Sequence, residues 1–164
     1  QKPESQDICF VREGGYRRLL ADRGVEAIPG DIVDTSGNVL GRHTGISNYT
    51  IGQRRGLGVA AGHPLFVVSL DAAKNRVVVG DKKDLLSRGL VAREPNILFD
   101  PLPKKLTASI RYAHSPRPCG VTLPQGRLEV VFDEPQEAVT PGQSVVLYHD
   151  DCVVGGGTIE SAFG

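Results

Sequence analysis

The chain has 164 residues with 19 basic and 19 acidic side chains, so its formal net charge is zero. Its 40% hydrophobic and 23% charged content is normal for a globular chain, and no apolar run approaches membrane-spanning length. Three cysteines without a Cys-x-x-Cys pair argue against a disulfide scaffold or a cysteine zinc site, and favour a cytoplasmic setting. Because the chain begins with Gln1 and lacks methionine, we expect it to be a piece of a longer protein.

The first predicted element is a short amphipathic helix near the N-terminus. In the stretch GGYRRLLADRG, apolar residues recur at helical spacing, and Gly24 stands where a left-handed C-terminal cap belongs. The preceding stretch SQDICF contains Cys9. Residues 1–24 are therefore predicted as one segment that consists of the cysteine and the helix.

Two β-hairpins are predicted next. GDIVDTSGNVLGRH reads as two strands joined by a turn at 36–38, and LFVVSLDAAKNRVVVGD reads as two more joined at 73–75. Between them, GRHTGISNYTIGQRRGLGVAAGH contains too many glycines for a regular helix or a central strand. We predict a small β-rich central domain over residues 25–94.

The last part of the chain predicts a β-barrel over residues 95–164. Three prolines in EPNILFDPLPKK suggest a domain boundary, and six short strand-like runs follow it. No helical pattern lies among these runs to cover the sheet, so closure into a six-stranded barrel is the economical solution. They are LTASIRYAH, CGVTL, RLEVVFD, QSVVLYHD, DCVVGG and GTIESAF. The predicted fold class is thus mainly β, with one short helix.

The zero net charge conceals a segregation of charges along the chain. Residues 35–70 and 101–128 contain no Asp or Glu, although both stretches carry arginines and histidines. Two acid-free basic stretches in a neutral protein suggest one positive face that suits a polyanion. The alternative is ordinary solvated surface charge.

Cys9 is the first candidate for chemistry. In an extended SQDICF, Cys9 points away from its two apolar neighbours, and arginines close in sequence could stabilise a thiolate. A packed, unreactive cysteine is the alternative on local grounds. Cys119 and Cys152 each open a strand-like run, and both are predicted as small apolar barrel residues.

Metal and nucleotide motifs are not visible in the sequence. The four histidines lack metal-ligand spacing, so we expect no metal site. The glycine run at 155–157 lacks the lysine and the following Ser or Thr of a phosphate-binding loop, so a bulge or a close backbone approach is expected there.

Two short stretches carry RNA-like signals. Arg111 beside Tyr112 offers a charge for phosphate and a ring for stacking a base, on opposite faces if the strand is regular. Arg54 and Arg55 lie in GQRRGLG, where the glycines would allow the backbone to approach a phosphate chain closely. The alternative is that Tyr112 belongs to the core and the arginines are merely solvated.

Four separated motifs resemble the C-terminal portion of bacterial tRNA-specific 2-thiouridylases, from about Lys2 to Ile159. They are SQDICF, GRHTGISNYTIGQRRGLG, IRYAHSPRPC and FDEPQEAVTPGQSVVLYHDDCVVGGGTI, in the family's order and spacing. The resemblance implies an enzyme that uses ATP and persulfide sulfur to convert the wobble uridine of tRNAs for Lys, Glu and Gln to 2-thiouridine. It also implies that the C-terminal barrel is similar to translation-factor barrels. This chain lacks the family's N-terminal ATP-binding domain, so we expect it to be inactive alone and to bind no cofactor itself.

The resemblance also implies roles for individual residues. Cys9 matches the persulfide-bearing cysteine, which forms a reversible disulfide with a cysteine of the absent domain. Arg111, Tyr112 and Gln143 match positions that contact tRNA. The implied partners are the tRNA anticodon stem-loop and either a sulfur-relay protein or a cysteine desulfurase, with no membrane. Some family members have Ser-Thr-Gly-Ile-Cys where this chain has Ser-Gln-Asp-Ile-Cys, so Asp7 changes the polarity beside the thiol.

Two alternatives to the enzyme fragment follow from the same residues. The first is a stand-alone, non-catalytic RNA-binding β-barrel module built on the basic stretches. The second is a persulfide carrier that serves another enzyme through Cys9.

Overall fold

A four-stranded mixed sheet forms from the first half of the described chain. The structure, a computed structural model, describes residues 22–24, 26–112 and 115–164. The strands of this sheet are β1 (Gly30–Asp34), β2 (Val39–His43), β3 (Phe66–Asp71) and β4 (Arg76–Gly80). Their order is β2-β1-β4-β3; β1 and β4 pair in parallel, and the other neighbours pair antiparallel.

Both hairpins predicted for this region are present, with their turns where the sequence placed them. The β1–β2 turn is held by the Asp34 carboxylate, which accepts hydrogen bonds from the backbone N–H groups of Ser36 and Asn38, each at 2.9 Å. Gly37 in this turn has a φ of 89°, a conformation in which a side chain would be strained. In the β3–β4 turn, Asn75 adopts a φ of 51°, which Asn tolerates better than most residues.

A closed six-stranded antiparallel barrel forms from the second half of the chain, as predicted. Its strand order is β10-β5-β8-β7-β6-β9, and every neighbouring pair is antiparallel. The strands are β5 (Leu86–Ile97), β6 (Leu106–Ser109), β7 (Arg117–Thr122), β8 (Leu128–Glu137), β9 (Ser144–His149) and β10 (Cys152–Phe163).

The six strands that form the barrel differ from the six strands predicted from the sequence. The runs DCVVGG and GTIESAF form one continuous strand, β10, whose pairing shifts register with β9 and with β5 near the glycines at 155–157. The sixth strand is instead β5, which pairs with β8 and β10. The sequence predicted that the barrel begins at residue 95, but β5 runs through this position as one barrel strand. The chain passes from the four-stranded sheet to the barrel earlier, between Gly80 and Leu86.

The barrel and the four-stranded sheet each have a separate hydrophobic cluster. The barrel cluster includes Phe132, Leu90 and Leu147, which are almost completely buried. The smaller cluster is formed by Ile32, Leu57, Val67, Val77 and Val79. Leu57 is the member that comes from the glycine-rich segment, so its burial attaches that segment to the four-stranded sheet.

The remaining regular elements are short. Among the described residues, three 3-10 helices lie at Ile46–Asn48, Lys82–Leu85 and Pro124–Gly126. The predicted N-terminal helix lies almost entirely outside the described residues. Within the described part of the chain, no helix combines the length and the apolar character needed to cross a bilayer.

Candidate nucleic-acid interface

Arg111 and Tyr112 follow the end of a barrel strand. β6 ends at Ser109, whose hydroxyl donates to the carbonyl oxygen of Arg111 at 2.9 Å, and Ile110 is buried. The sequence extended this strand through Arg111 and Tyr112, and that extension is wrong because the chain bends there instead of continuing the ladder. The expected placement of the two side chains on opposite strand faces therefore does not apply.

Both side chains are exposed rather than packed. Tyr112 is 91% exposed, so the alternative that it belongs to the core is wrong. The Arg111 guanidinium donates from Nη2 to the carbonyl oxygen of Glu137 at 2.6 Å. This bond joins the end of β6 to the end of β8 and gives the guanidinium a defined position.

Gln143 lies in the turn that precedes β9. Its backbone N–H donates to the Thr140 carbonyl at 3.3 Å, and its own carbonyl accepts from the N–H of Ile159 at 2.8 Å. Gly142 beside it has a φ of 87° and donates to the Ile159 carbonyl at 2.8 Å. The backbone is thus pinned to β10 while the Gln143 side chain stays exposed.

These three residues line one open groove. Its volume is about 630 Å³, and Arg111, Tyr112 and Gln143 all contribute to its wall. The groove is open on one side, so a chain molecule could lie along it. The structure therefore brings together three side chains that the sequence picked from two distant motifs. We call this feature the first groove.

Arg54 and Arg55 lie in a loop beside the four-stranded sheet. Backbone bonds hold the start of the loop to β3, from Gly52 N–H to the Val67 carbonyl and from Val67 N–H to the Gln53 carbonyl, at 2.8 and 2.9 Å. The Gln53 side chain donates to the Arg55 carbonyl at 3.0 Å. Both arginines are exposed, and neither pairs with an acidic side chain of the described residues.

The arginine loop approaches the barrel at Gly52. A Cβ added at Gly52 would lie 3.4 Å from the Cβ of Ala138, which follows the residue that binds Arg111. Ala138 is buried and donates its N–H to the Leu85 carbonyl at 2.9 Å. Glu137–Ala138 thus contacts both acid-free stretches of the sequence, one through Gly52 and the other through Arg111.

The cysteines have different surroundings. Cys119 is buried in the barrel, as predicted, and its burial, with a smaller effect of Asp133, raises the pKa of its thiol to about 11. Cys152 was predicted as a small apolar barrel residue; it is the first residue of barrel strand β10, but its side chain is exposed. Cys152 pairs with His149 directly beside the turn of the β9–β10 hairpin. Cys9 lies outside the described residues.

The described residues include the glycine run at 155–157, which lacks the side chains of a phosphate-binding loop. The glycine run at 155–157 lies inside β10, and a Cβ added at Gly155 or Gly157 would lie within 3 Å of the carbonyl oxygen of Asn96 or Arg93. These glycines therefore allow close strand approach, as the sequence suggested, and do not form a phosphate loop. In the same part of the chain, no cluster of three or more His, Cys, Asp or Glu could hold a metal ion.

Tyr148 is among the lining residues of the first groove that were not predicted from the sequence. Tyr148 lies on β9 and lines this groove together with Ser144 and Val146. The alternation of QSVVLYHD, with Val145 and Leu147 buried, was the available signal that Tyr148 faces outward.

Comparisons with known proteins match the two parts of the chain to two family models. Residues 17–81 match a model described as a tRNA methyl transferase PRC-barrel domain. Residues 87–159 match a model described as an aminomethyltransferase beta-barrel domain. The gap between the two matches coincides with the change from β4 to β5.

Curated relatives match nearly the whole chain. The tRNA-specific 2-thiouridylase MnmA of Moorella thermoacetica is 56% identical over 167 residues, which cover 98% of this chain and 46% of the relative. The proteins of the same name from Syntrophus aciditrophicus and Geobacter metallireducens are each 51% identical, over 99% of this chain and 44% and 45% of their own lengths. The chain spans about half the length of the curated relatives it matches. By these matches, the chain belongs to the tRNA-specific 2-thiouridylase family.

Proposed function

We propose that this chain is the tRNA-holding and sulfur-presenting part of an enzyme that converts the wobble uridine of tRNA to 2-thiouridine. The names of the relatives support tRNA as the substrate. The observation that carries the proposal is the first groove, in which Arg111, Tyr112 and Gln143 line one open surface. An exposed ring beside a positioned cation suits a splayed base and its phosphate.

Arg54 and Arg55 extend this surface to the four-stranded sheet. The contact of Gly52 with Ala138 joins their loop to the barrel segment that binds Arg111. We infer that the loop and the first groove hold the same RNA arm, the anticodon stem-loop. Exposed arginines without acidic partners can neutralise phosphates without first breaking an ion pair.

Cys9 is assigned the sulfur-transfer step. In one route, the outer sulfur of a persulfide on Cys9 attacks C2 of the uridine, and the oxygen leaves C2 with its activating group. A partner cysteine then attacks the inner sulfur, which breaks the S–S bond, leaves the outer sulfur on C2 and forms a disulfide. In a second route, a partner cysteine attacks the inner sulfur, releases hydrosulfide and leaves a disulfide that an external dithiol must reduce. Activation of the C2 oxygen by ATP, and the partner cysteine, belong to a part of the protein outside this chain.

Binding of RNA by the chain itself is the first test. We expect the 164-residue chain to bind a fluorescently labelled anticodon stem-loop of tRNA for Lys, measured by fluorescence anisotropy. Arg111→Ala should weaken binding roughly tenfold, because it removes one charged contact. Arg93→Ala is the matched control, since Arg93 is an exposed barrel arginine that already pairs with Glu94. Equal binding by the parent and Arg111→Ala would contradict the assignment of the groove.

The sulfur role is tested separately. With the ATP-binding half of a relative supplied on the same polypeptide, we expect thiolated tRNA, detected by its retardation in a mercury-containing gel. Cys9→Ser should abolish the thiolated product while the Kd for tRNA stays unchanged. Thiolation by the serine variant at the parent's rate would rule out Cys9 as the sulfur carrier, whatever the binding results.

A further inference from the structure

A second groove adjoins the first at Tyr148, which lines both. Its volume is about 590 Å³. Its lining includes Lys104, Lys105, Thr107, Pro118, Asp133, Tyr148 and Asp150. Neither the relatives' names nor the tRNA assignments above give this groove a role.

Tyr148 connects the two grooves, because it lines both. On β9 it pairs with Thr107 of β6, and Thr107 pairs in turn with Pro118 of β7. These three outward-facing residues form one row across three strands. Of these three residues, only Tyr148 also lines the first groove, so the two grooves meet at Tyr148.

The backbone of Lys105 is hydrogen-bonded to His149, the last residue of β9. The carbonyl oxygen of Lys105 can only accept, so the His149 ring nitrogen Nδ1 donates to it at 2.8 Å. Lys104 and Lys105 are both exposed, and neither forms an ion pair with an acidic side chain of the described residues. They belong to the acid-free stretch 101–128, which also contains Arg111.

Two carboxylates also line the second groove and oppose the lysines. Asp133 and Asp150 are exposed, and Asp150 lies 3.8 Å from His149 Nε2. A phosphate in this groove would be attracted by the lysines and repelled by the carboxylates. Removing a lysine should therefore weaken RNA binding, whereas removing a carboxylate should strengthen it.

We propose that the RNA strand held in the first groove continues past Tyr148 into the second groove, where Lys104 and Lys105 contact its phosphates. This inference rests on the proposed function. It extends the proposed RNA-contacting surface along β6 by about four residues, roughly 13 Å. The ring of Tyr148 contacts a base or ribose at the boundary between the grooves.

Salt-dependent binding tests the lysine contacts. We expect Lys104→Ala/Lys105→Ala in the full chain to weaken binding of the labelled anticodon stem-loop. The slope of log K against log salt should fall in magnitude by about one to two, one unit for each phosphate that the variant no longer neutralises. Lys74→Ala is the control, because Lys74 is an exposed lysine on the β3–β4 turn that pairs with Asp71. It should leave both affinity and slope unchanged.

Three further variants test the repulsion by Asp150 and the contribution of the Tyr148 ring. Asp150→Asn should tighten binding, because it removes a repelling charge, and Asn tolerates the φ of 50° found at this position. Tyr148→Phe should bind like the parent, whereas Tyr148→Leu should bind more weakly, because only Phe keeps the stacking ring. Circular dichroism spectra identical to the parent's show that each variant is folded.

The outcomes separate this inference from the proposed function. If Arg111→Ala weakens binding while the double lysine variant and Asp150→Asn bind like the parent, RNA does not enter the second groove and this inference is wrong. If Arg111→Ala also binds like the parent, the proposed function itself is wrong. A weaker double lysine variant with an unchanged salt slope would equally overturn the phosphate contacts.

Discussion

Arg111 and Glu137 are joined by a hydrogen bond of 2.6 Å from the guanidinium to the backbone carbonyl, although 26 residues separate them. The bond uses a backbone acceptor, so the positive charge of Arg111 is oriented without being neutralised. Glu137 uses its carboxylate elsewhere, 3.8 Å from the ammonium of Lys82. This relationship explains how a residue after a strand end can present a fixed cation to the first groove.

Replacement of Arg111 by lysine should separate charge from orientation. We expect Arg111→Lys to bind the labelled anticodon stem-loop more weakly than the parent and more tightly than Arg111→Ala. The ammonium keeps the charge but cannot offer the planar fork that both bonds the Glu137 carbonyl and leaves donors for a phosphate. Fluorescence anisotropy gives the three Kd values. Identical Kd values for the lysine variant and the parent would show that charge alone suffices.

Gly52→Ala should destabilise the junction between the arginine loop and the barrel. Gly52 has a φ of 87°, and its added Cβ would contact Ala138 at 3.4 Å. A side chain in this left-handed region costs about 1–2 kcal/mol in the free energy of unfolding, which urea titration measures. Gly62→Ala is the control in the same loop, since it has no neighbour within 4 Å and no positive φ. Equal decreases in the free energy of unfolding for Gly52→Ala and Gly62→Ala would contradict a specific need for glycine at residue 52.

Cys152 and Cys119 should differ sharply in their reaction with iodoacetamide. In the Cys9→Ser background at pH 8, we expect Cys152 to be modified first because it is exposed. Cys119 should stay unmodified until urea unfolds the chain, because burial limits access and the raised pKa of about 11 keeps it a thiol. Peptide mass spectrometry locates the label. Labelling of Cys119 at the rate of Cys152 in the folded chain would contradict its burial.

Asp34 should make the β1–β2 turn sensitive to acid. The hydrogen bond from the Asn38 side chain is the largest cause of a lowered pKa, and backbone N–H bonds contribute. A carboxyl whose pKa is lowered in the folded state stabilises it above the unfolded pKa, and this contribution is lost as pH falls through the folded value. Asp34→Ala should therefore lower the Tm most near neutral pH, with the difference from the parent shrinking in acid.

The matched control for Asp34 is Ser36→Ala. Ser36 contributes only its backbone N–H to the Asp34 carboxylate, and alanine keeps that donor. Its Tm should follow the parent at every pH. If the difference between Asp34→Ala and the parent were the same at neutral and at acid pH, the carboxylate would not be the source of the turn's stability.

The local sequence was enough to locate the turns and most strands. Strand alternation and turn chemistry depend on residues within about four positions of each other, so the hairpins at Asp34 and Asn75 were readable directly. The presence of a closed barrel also followed, because several short strands without helices leave edges that closure removes. Arg111, Tyr112 and Gln143 were predicted as tRNA-contacting residues from the family resemblance. The resemblance did not predict that they line one groove.

Only the tertiary structure determines which strands close the barrel and which candidate residues lie close together. β5 joins the barrel by pairing with β10, which lies far along the chain, and no local pattern specifies such a partner. The bend after Ser109, the exposure of Cys152 and the contact of Gly52 with Ala138 have the same origin. Each depends on hydrogen bonds or packing between distant segments, which exist only once the chain has folded.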